Sequence, residues 1–264
     1  MQTVGASPPR SALLAAWGNA WLAGEAGLPE LVARVSAMDD HHAVSGLSVD
    51  DLPLEQAAAR LRADGVTRLR VVLPAPGDVL GLPGPGPFTT AAVLASEGVL
   101  ALRRDGTGSG LVPTITAHRS DYDGTVTTVR WSAYDVRVAG PDPGPYLHDA
   151  EHDLRRGVVE CAQALRALDV ARWRPDVATA LSALRSEARR GIDEDELPGS
   201  YPLRARQVLV QARQLAGVLA LATEDAGGAV DTREAVARAD ALRELANLVR
   251  RARLAAYNAH GQPS

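Results

Sequence analysis

His148-Asp149-Ala150-Glu151-His152 sets two imidazoles at i and i+4. On one helix face this spacing can grip a divalent metal, and a metal-activated water would make a hydrolase. The residue after His148 is Asp149, not the glutamate that acts as general base in the HExxH zincins, so that pattern is not met. Leu147, Leu154, Val158, Cys161, Leu165 and Leu168 define the apolar face of the same helix. At about 100° per residue, His148 and His152 point roughly 115° and 155° from the centre of that face, while Glu151 falls nearer its edge. One turn supplies two ligands, and a third would have to come from another segment. The pattern favours a solvated polar face, with a divalent metal on His148, Glu151 and His152 as the alternative.

A second cluster, Asp39-Asp40-His41-His42 with Asp50-Asp51 beyond it, offers carboxylates and imidazoles for acid–base work or an ion. The structural reading is a polar turn whose aspartates cap helices, Asp50 or Asp51 being placed to cap a helix that starts near Pro53. A third feature is the Gly/Pro loop 74–87, which follows a strand, where ligands collect in open α/β sheets. Pro83, Pro85 and Pro87 remove alternate backbone donors, and no GxGxxG spacing accompanies them, so a phosphate cradle is disfavoured. Asp78 and Phe88 are the residues to watch there for a small-molecule pocket. Candidate nucleophiles are few. Gly108-Ser109-Gly110 is too short for a GxSxG elbow and reads as a hairpin turn, and Cys161 lies on an apolar helix face, where a thiol is an inert packing group.

Composition narrows the chemistry further. The 264 residues contain no lysine, which removes Schiff-base chemistry and the P-loop lysine. One cysteine forms no internal disulfide and no CxxC pair. A net charge of -4 is a poor match to phosphate backbones. The strongest basic run, Arg250 to Arg253, also has an explanation in the dipole of a helix C-terminus, so nucleic acid is not the expected partner. The apolar stretch Ser11–Gly24 is interrupted by Gly18 and Asn19 and is too short to span a bilayer. No membrane role is expected, and the cytoplasm is the expected compartment.

Three sections must position these residues. Up to about residue 38 the chain is helical: Leu13, Leu14, Trp17, Trp21 and Leu22 share a helix face, and Pro29 opens a second helix. The two indoles read as core or interface anchors. Residues 40–140 mix strands with helices. A strand at His42–Leu47, a helix at Leu54–Asp64 ended by Gly65, and a strand at Thr67–Leu73 have the order of a parallel crossover. A short helix at Phe88–Ser96 follows. Strands at Gly98–Arg103, Leu111–His118 and Thr125–Val138 then join through the turns Asp105–Gly108 and Asp121–Gly124, an antiparallel set. After Pro141–Pro145, helices are expected at 145–168, 175–190, 202–222 and 231–258, the last opened by an Asp231/Glu234 capping box. Gly191–Tyr201 and Glu224–Val230 read as connectors.

The expected fold is therefore α+β, a mixed sheet of about five strands with flanking helices followed by an antiparallel helical bundle. Residues 1–143 and 144–264 are its two regions. With no complete catalytic set, the first expectation for function is a non-catalytic interaction or scaffold protein. It would use the bundle surface and the Trp17/Trp21 helix to bind a protein partner or itself, with a homodimer expected. The alternatives are a metal-dependent hydrolase on His148/His152 and a small-molecule binder with its pocket by loop 74–87.

Overall fold

The computed structural model describes residues 7–120, 124–139, 144–167, 196–224 and 232–261. The expected helix at 175–190, the tip of the turn at 121–123, the run 141–143, most of the two connectors and the cap at Asp231 lie outside the described residues. Two compact units divide the chain. One holds Pro8–Gly144 with Glu194–Tyr201; the other holds Pro145–Asp193 and Pro202–Ser264 with Met1–Ser7.

The first unit is α+β. Its elements run α1 (Arg10–Leu22), α2 (Leu28–Val35), β1 (His41–Ser45), β2 (Leu52–Pro53), α3 (Leu54–Ala63), β3 (Arg68–Val72), α4 (Pro87–Ala95), β4 (Gly98–Leu102), β5 (Thr107–Ser120) and β6 (Gly124–Arg137). They build a six-stranded mixed sheet in the order β2-β1-β6-β5-β4-β3. The strand beyond the expected five is β2, two residues long and too short to leave a pattern. β4 to β6 form the expected antiparallel set, β3 joins it antiparallel to β4, and β1 lies parallel to β6.

The crossover expectation is overturned. β1 and β3 end on opposite sides of the sheet and run antiparallel to one another, because three antiparallel steps separate β3 from β6. Spacing alone could not distinguish a return beside β1 from a traverse of the sheet. Gly65 does terminate α3 as expected, at φ +84°, a left-handed conformation that glycine adopts without penalty.

Alternation along the strands divides the core into two layers. Leu69, Leu111 and Val44 face α1 and α3, while Val72, Leu100, Val112 and Val136 face α4. α1 is buried on every side from Ser11 to Trp21, not along one stripe. Gly18 makes this possible, since a Cβ there would lie 2.1 Å from Leu69 Cδ1. The helix carries no cap of its own. Glu97 serves instead, accepting from the Ser11 amide at 2.9 Å and its hydroxyl at 2.6 Å, which answers an orphan N–H and the positive helix end together. The segment ending at Tyr201 belongs to this unit. Leu197 and Tyr201 are buried, and the Tyr201 hydroxyl hydrogen-bonds Asn19 of α1.

Gly108-Ser109-Gly110 is not a turn but part of β5. A Cβ on Gly110 would meet the Phe88 ring at 2.2 Å, and one on Gly108 the Ala101 carbonyl oxygen at 1.9 Å. Both glycines serve close packing. The hairpin turn itself is shorter than expected, centred on Asp105-Gly106, with Gly106 at φ +78°.

The second unit is helical in its described residues: α5 (Leu147–Ala167), α6 (Leu203–Glu224) and α7 (Thr232–Tyr257). Gly157 of α5 sits against Leu248, and Cys161 feels Glu244, so α5 and α7 run antiparallel. Arg238 near the start of α7 donates to the Ala222 carbonyl near the end of α6 at 2.8 Å, an antiparallel pairing again.

Candidate functional site

The Asp39–His42 cluster is divided by the fold. Asp39 and His42 turn inward, while Asp40 and His41 stay at the surface. Arg10, the first residue of α1, clamps Asp39 with two bonds, Nε to Oδ2 at 2.9 Å and Nη2 to Oδ1 at 2.7 Å. His42 Nε2 lies 3.2 Å from Asp39 Oδ2, and Trp131 Nε1 donates to His42 Nδ1 at 3.2 Å. Indole N–H only donates, so Nδ1 is the acceptor and the ring proton sits on Nε2, facing the carboxylate. Burial pushes the His42 pKa down, against the pull of Asp39 and with the repulsion of Arg10. An aspartate orienting an imidazole is half of a general-base arrangement, yet the base must keep one nitrogen open to substrate. Here both are occupied. The chain Arg10–Asp39–His42–Trp131 fastens α1, the segment between α2 and β1, β1 and β6 together.

Asp40 and Asp51 of this cluster are also spent on the scaffold. Asp40 accepts from the Thr127 amide at 2.6 Å while its own amide donates to the Thr127 carbonyl at 2.8 Å, setting the entry of β1 beside β6. Neither Asp50 nor Asp51 caps α3. Pro53 holds the N-cap without a side-chain bond, and Asp51 pairs with Arg130.

Loop 74–87 is stiff for a reason beyond its prolines. Ala75 and Asp78 exchange amide–carbonyl bonds of 2.9 Å each around Pro76-Gly77, with Gly77 at φ +80°. Asp78 Oδ1 then accepts from the Leu80 amide at 3.1 Å. Buried Arg70 of β3 donates to the Gly81 carbonyl at 2.7 Å, and the Thr89 hydroxyl to that of Gly84. Phe88 is no pocket wall. It is 2% exposed, packed among Val72, Ala92, Leu100, Val112 and Val136, with its edge toward Tyr134. A cavity of this unit lies on the opposite face of the sheet, between α1, α3 and the strands. Leu14, Trp21, Leu31, Val44, Leu61 and Leu111 are among its walls, which are apolar throughout. Such a space solvates no polar ligand.

In the helical unit Glu151, expected nearer the edge of the apolar face, is buried, and His152 is exposed. Arg204 of α6 donates Nε to Glu151 at 2.6 Å and Nη2 to His148 Nδ1 at 2.8 Å, and Arg155 adds a second guanidinium to Glu151. The lone pairs that a metal would need on His148 and Glu151 thus already hold a cation, and His152 does not join them. Among the described residues no three His, Cys, Asp or Glu side chains gather in metal-binding distance. Arg204 stands 53 and 56 positions from its partners, a separation with no local sequence signal. The same holds for Arg10 and Trp131.

Cys161 is buried, with its thiol pKa raised by burial, as expected for a packing group. Trp17 and Trp21 are buried too, each beneath a guanidinium, Arg34 at 5.1 Å and Arg62 at 5.0 Å, so the expectation that they present a docking surface is corrected. Arg250 to Arg253 form no continuous basic stripe: Arg251 is exposed while Arg250 and Arg253 are half-buried. They also stand before the last turn of α7, which carries no basic residue, so the dipole argument for them fails. No described helix is long and apolar enough to cross a membrane.

Two family models match the chain. The one described as Rv1486c-like protein, N-terminal domain, covers residues 11–146, and the one described as Rv1486c-like protein, C-terminal domain, covers 148–254. The chain is 29% identical over 286 residues to the uncharacterized protein Rv1486c of Mycobacterium tuberculosis (strain ATCC 25618 / H37Rv), covering 94% of this chain and 96% of the relative. Uncharacterized protein ML1804 of Mycobacterium leprae (strain TN) is 28% identical over 287 residues, with the same shares covered. No solved structure matches.

Proposed function

The chain belongs to the Rv1486c-like protein family, and from that premise we propose that it is a non-catalytic interaction protein of the cytoplasm, working by binding a protein partner or a second copy of itself. One observation carries this reading: the buried side chains that could do chemistry are spent on the scaffold. Asp39 and His42 are closed by Arg10 and Trp131, Glu151 and His148 by Arg204, and Asp78 turns back on its own loop. A general base needs an open lone pair, and a metal needs several.

Surface composition supports the same reading. Leu94 and Val93 on α4 and Val79 in the preceding loop are exposed, as are Tyr146, Val159 and Leu203 in the helical unit. Exposed apolar groups in number mark contact surfaces more often than catalytic clefts.

Reciprocal affinity capture of the full-length chain from its own cells tests the proposal, together with elemental analysis of the purified protein. The expected result is a defined complex and no stoichiometric metal. Stoichiometric zinc or manganese with a chelator-sensitive hydrolytic activity would overturn it in favour of the His148/His152 hydrolase.

A further inference from the structure

The open edges of the sheet are treated differently. At one side β2 is only two residues long, and Pro53 occupies half of it. At the other side, the Leu69 amide and carbonyl of β3 are both answered by the side chain of Asn19. The third edge is internal. β5 runs to Ser120, but its neighbour β4 pairs with it only from Gly108 to Leu111. Beyond that point β5 has β6 on one side and, among the described residues, no strand on the other.

Hydrogen-bond parity tells which residues present their backbone there. The Thr107 carbonyl accepts from Arg103 on the β4 side, whereas the Gly106 carbonyl accepts from Val138 on the β6 side. In an antiparallel strand this alternation continues. Pro113, Ile115, Ala117 and Arg119 therefore turn their backbone groups to the open edge, and Thr114, Thr116 and His118 bond to β6. The presence of Pro113 inside a 14-residue strand fits this parity, since its missing N–H falls on the unpaired side and costs β6 nothing. Thr114 and residues 116 to 119 are exposed.

We propose that a second copy of this chain pairs with the open edge of β5 about a two-fold axis at Ala117, extending the ribbon of each copy into a continuous sheet. Self-pairing by an isologous antiparallel contact sets residue 117 opposite itself and 115 opposite 119 of the partner. All of these residues keep their N–H, so Ala117/Ala117 and both Ile115/Arg119 pairs exchange two bonds each. Registers centred at 115 or 116 bring Pro113 into the ladder and lose donors. A register centred at 118 sets the two His118 side chains face to face.

Charge agrees with the chosen register. Arg119, the fixed charge of this edge, meets Ile115 of the other copy and not a second Arg119, and the small Ala117 lets the strands close at the axis. A foreign peptide would satisfy the same backbone groups, but only a second copy explains why the charge and the proline stand on either side of a self-matching core.

This inference rests on the reading of the protein as an interaction protein and names its partner. The test is sedimentation of the full-length chain over a wide range of concentration, wild type beside Ala117→Pro and Ala117→Arg. The 117 amide is not bonded to β6, so proline there leaves the fold intact, which circular dichroism checks. A wild-type dimer is expected, with a dissociation constant at least roughly tenfold weaker in both variants, and with slowed amide exchange at Ile115, Ala117 and Arg119 in the dimer. An Ala117→Cys chain should form a disulfide-linked dimer under oxidation, opposed backbones there lying about 5.5 Å apart. A wild-type monomer at every concentration, or a dimer that both Ala117 substitutions leave unchanged, would overturn the inference. In either case a complex captured with another protein would leave the interaction role standing.

Discussion

Asn19 and Leu69 exchange two hydrogen bonds across 50 residues of sequence: Asn19 Nδ2 donates to the Leu69 carbonyl at 2.8 Å, and the Leu69 amide donates to Asn19 Oδ1 at 2.7 Å. A primary amide offers the same donor and acceptor as a peptide unit, so one side chain stands in for a missing strand beside β3. Both groups are buried, and leaving a buried backbone group unpaired costs about 1–3 kcal/mol. Asn19→Ala is expected to lower stability by about 2–4 kcal/mol. Asn19→Asp should cost at least as much, because it sets a carboxylate against the Leu69 carbonyl. Urea denaturation of the three proteins measures both.

His42 makes stability depend on pH. Its pKa is lowered in the fold, so between the folded value and the ordinary value of about 6.5 the unfolded chain binds more protons. The stabilisation is complete above about pH 6.5 and is lost as pH falls from there toward the folded value. Protonation would also put a hydrogen on Nδ1, against the Trp131 N–H. Denaturation midpoints between about pH 5 and 8 should fall on the acid side, with a shift in tryptophan emission. His42→Gln, which can still accept and donate, should flatten this part of the curve.

Gly110 and Phe88 form a coupled pair, with 2.2 Å separating the ring from the place of a Cβ at 110. Gly110→Ala is expected to cost about 1–3 kcal/mol by overpacking, and Phe88→Ala about 3–5 kcal/mol by opening a cavity. The double variant should lose less than the sum, because the alanine methyl enters the space that the ring leaves. A coupling energy near zero in the double-mutant cycle would show that the two do not share that space.

Cys161 offers a reporter for the helical unit. The chain has one cysteine, and this thiol is buried with its pKa raised. Thiol-reactive dye should label the native protein slowly and completely only after unfolding, so the labelling rate follows the opening of α5 from α7. Fast labelling of the native state would contradict the packing of Cys161.

Elements with local causes were legible in the sequence. Pro29 at the start of α2, Gly65 behind α3 and the hydrophobic period of α5 all act within a turn or a few residues, and each element formed where those signals stood. What failed involved distance. The direction of β3 relative to β1 and the burial of α1 on every side depend on distant segments, and the arginines that close Asp39 and Glu151 stand 29 and 53 residues from them. Phe88 was misjudged for the same reason. Its loop setting suggested a pocket, while the two glycines that admit its ring, Gly98 and Gly110, lie on later strands.

The contact of Tyr201 with Asn19 of α1 bears on how the chain is made. A ribosome that has released residues up to Gly144 has delivered all six described strands of the sheet, but not the tyrosine that meets Asn19 or the buried Leu197 of the same unit. The nascent N-terminal half must wait, incompletely closed, until more than fifty further residues have emerged. A fragment cut at that boundary keeps the gap for good.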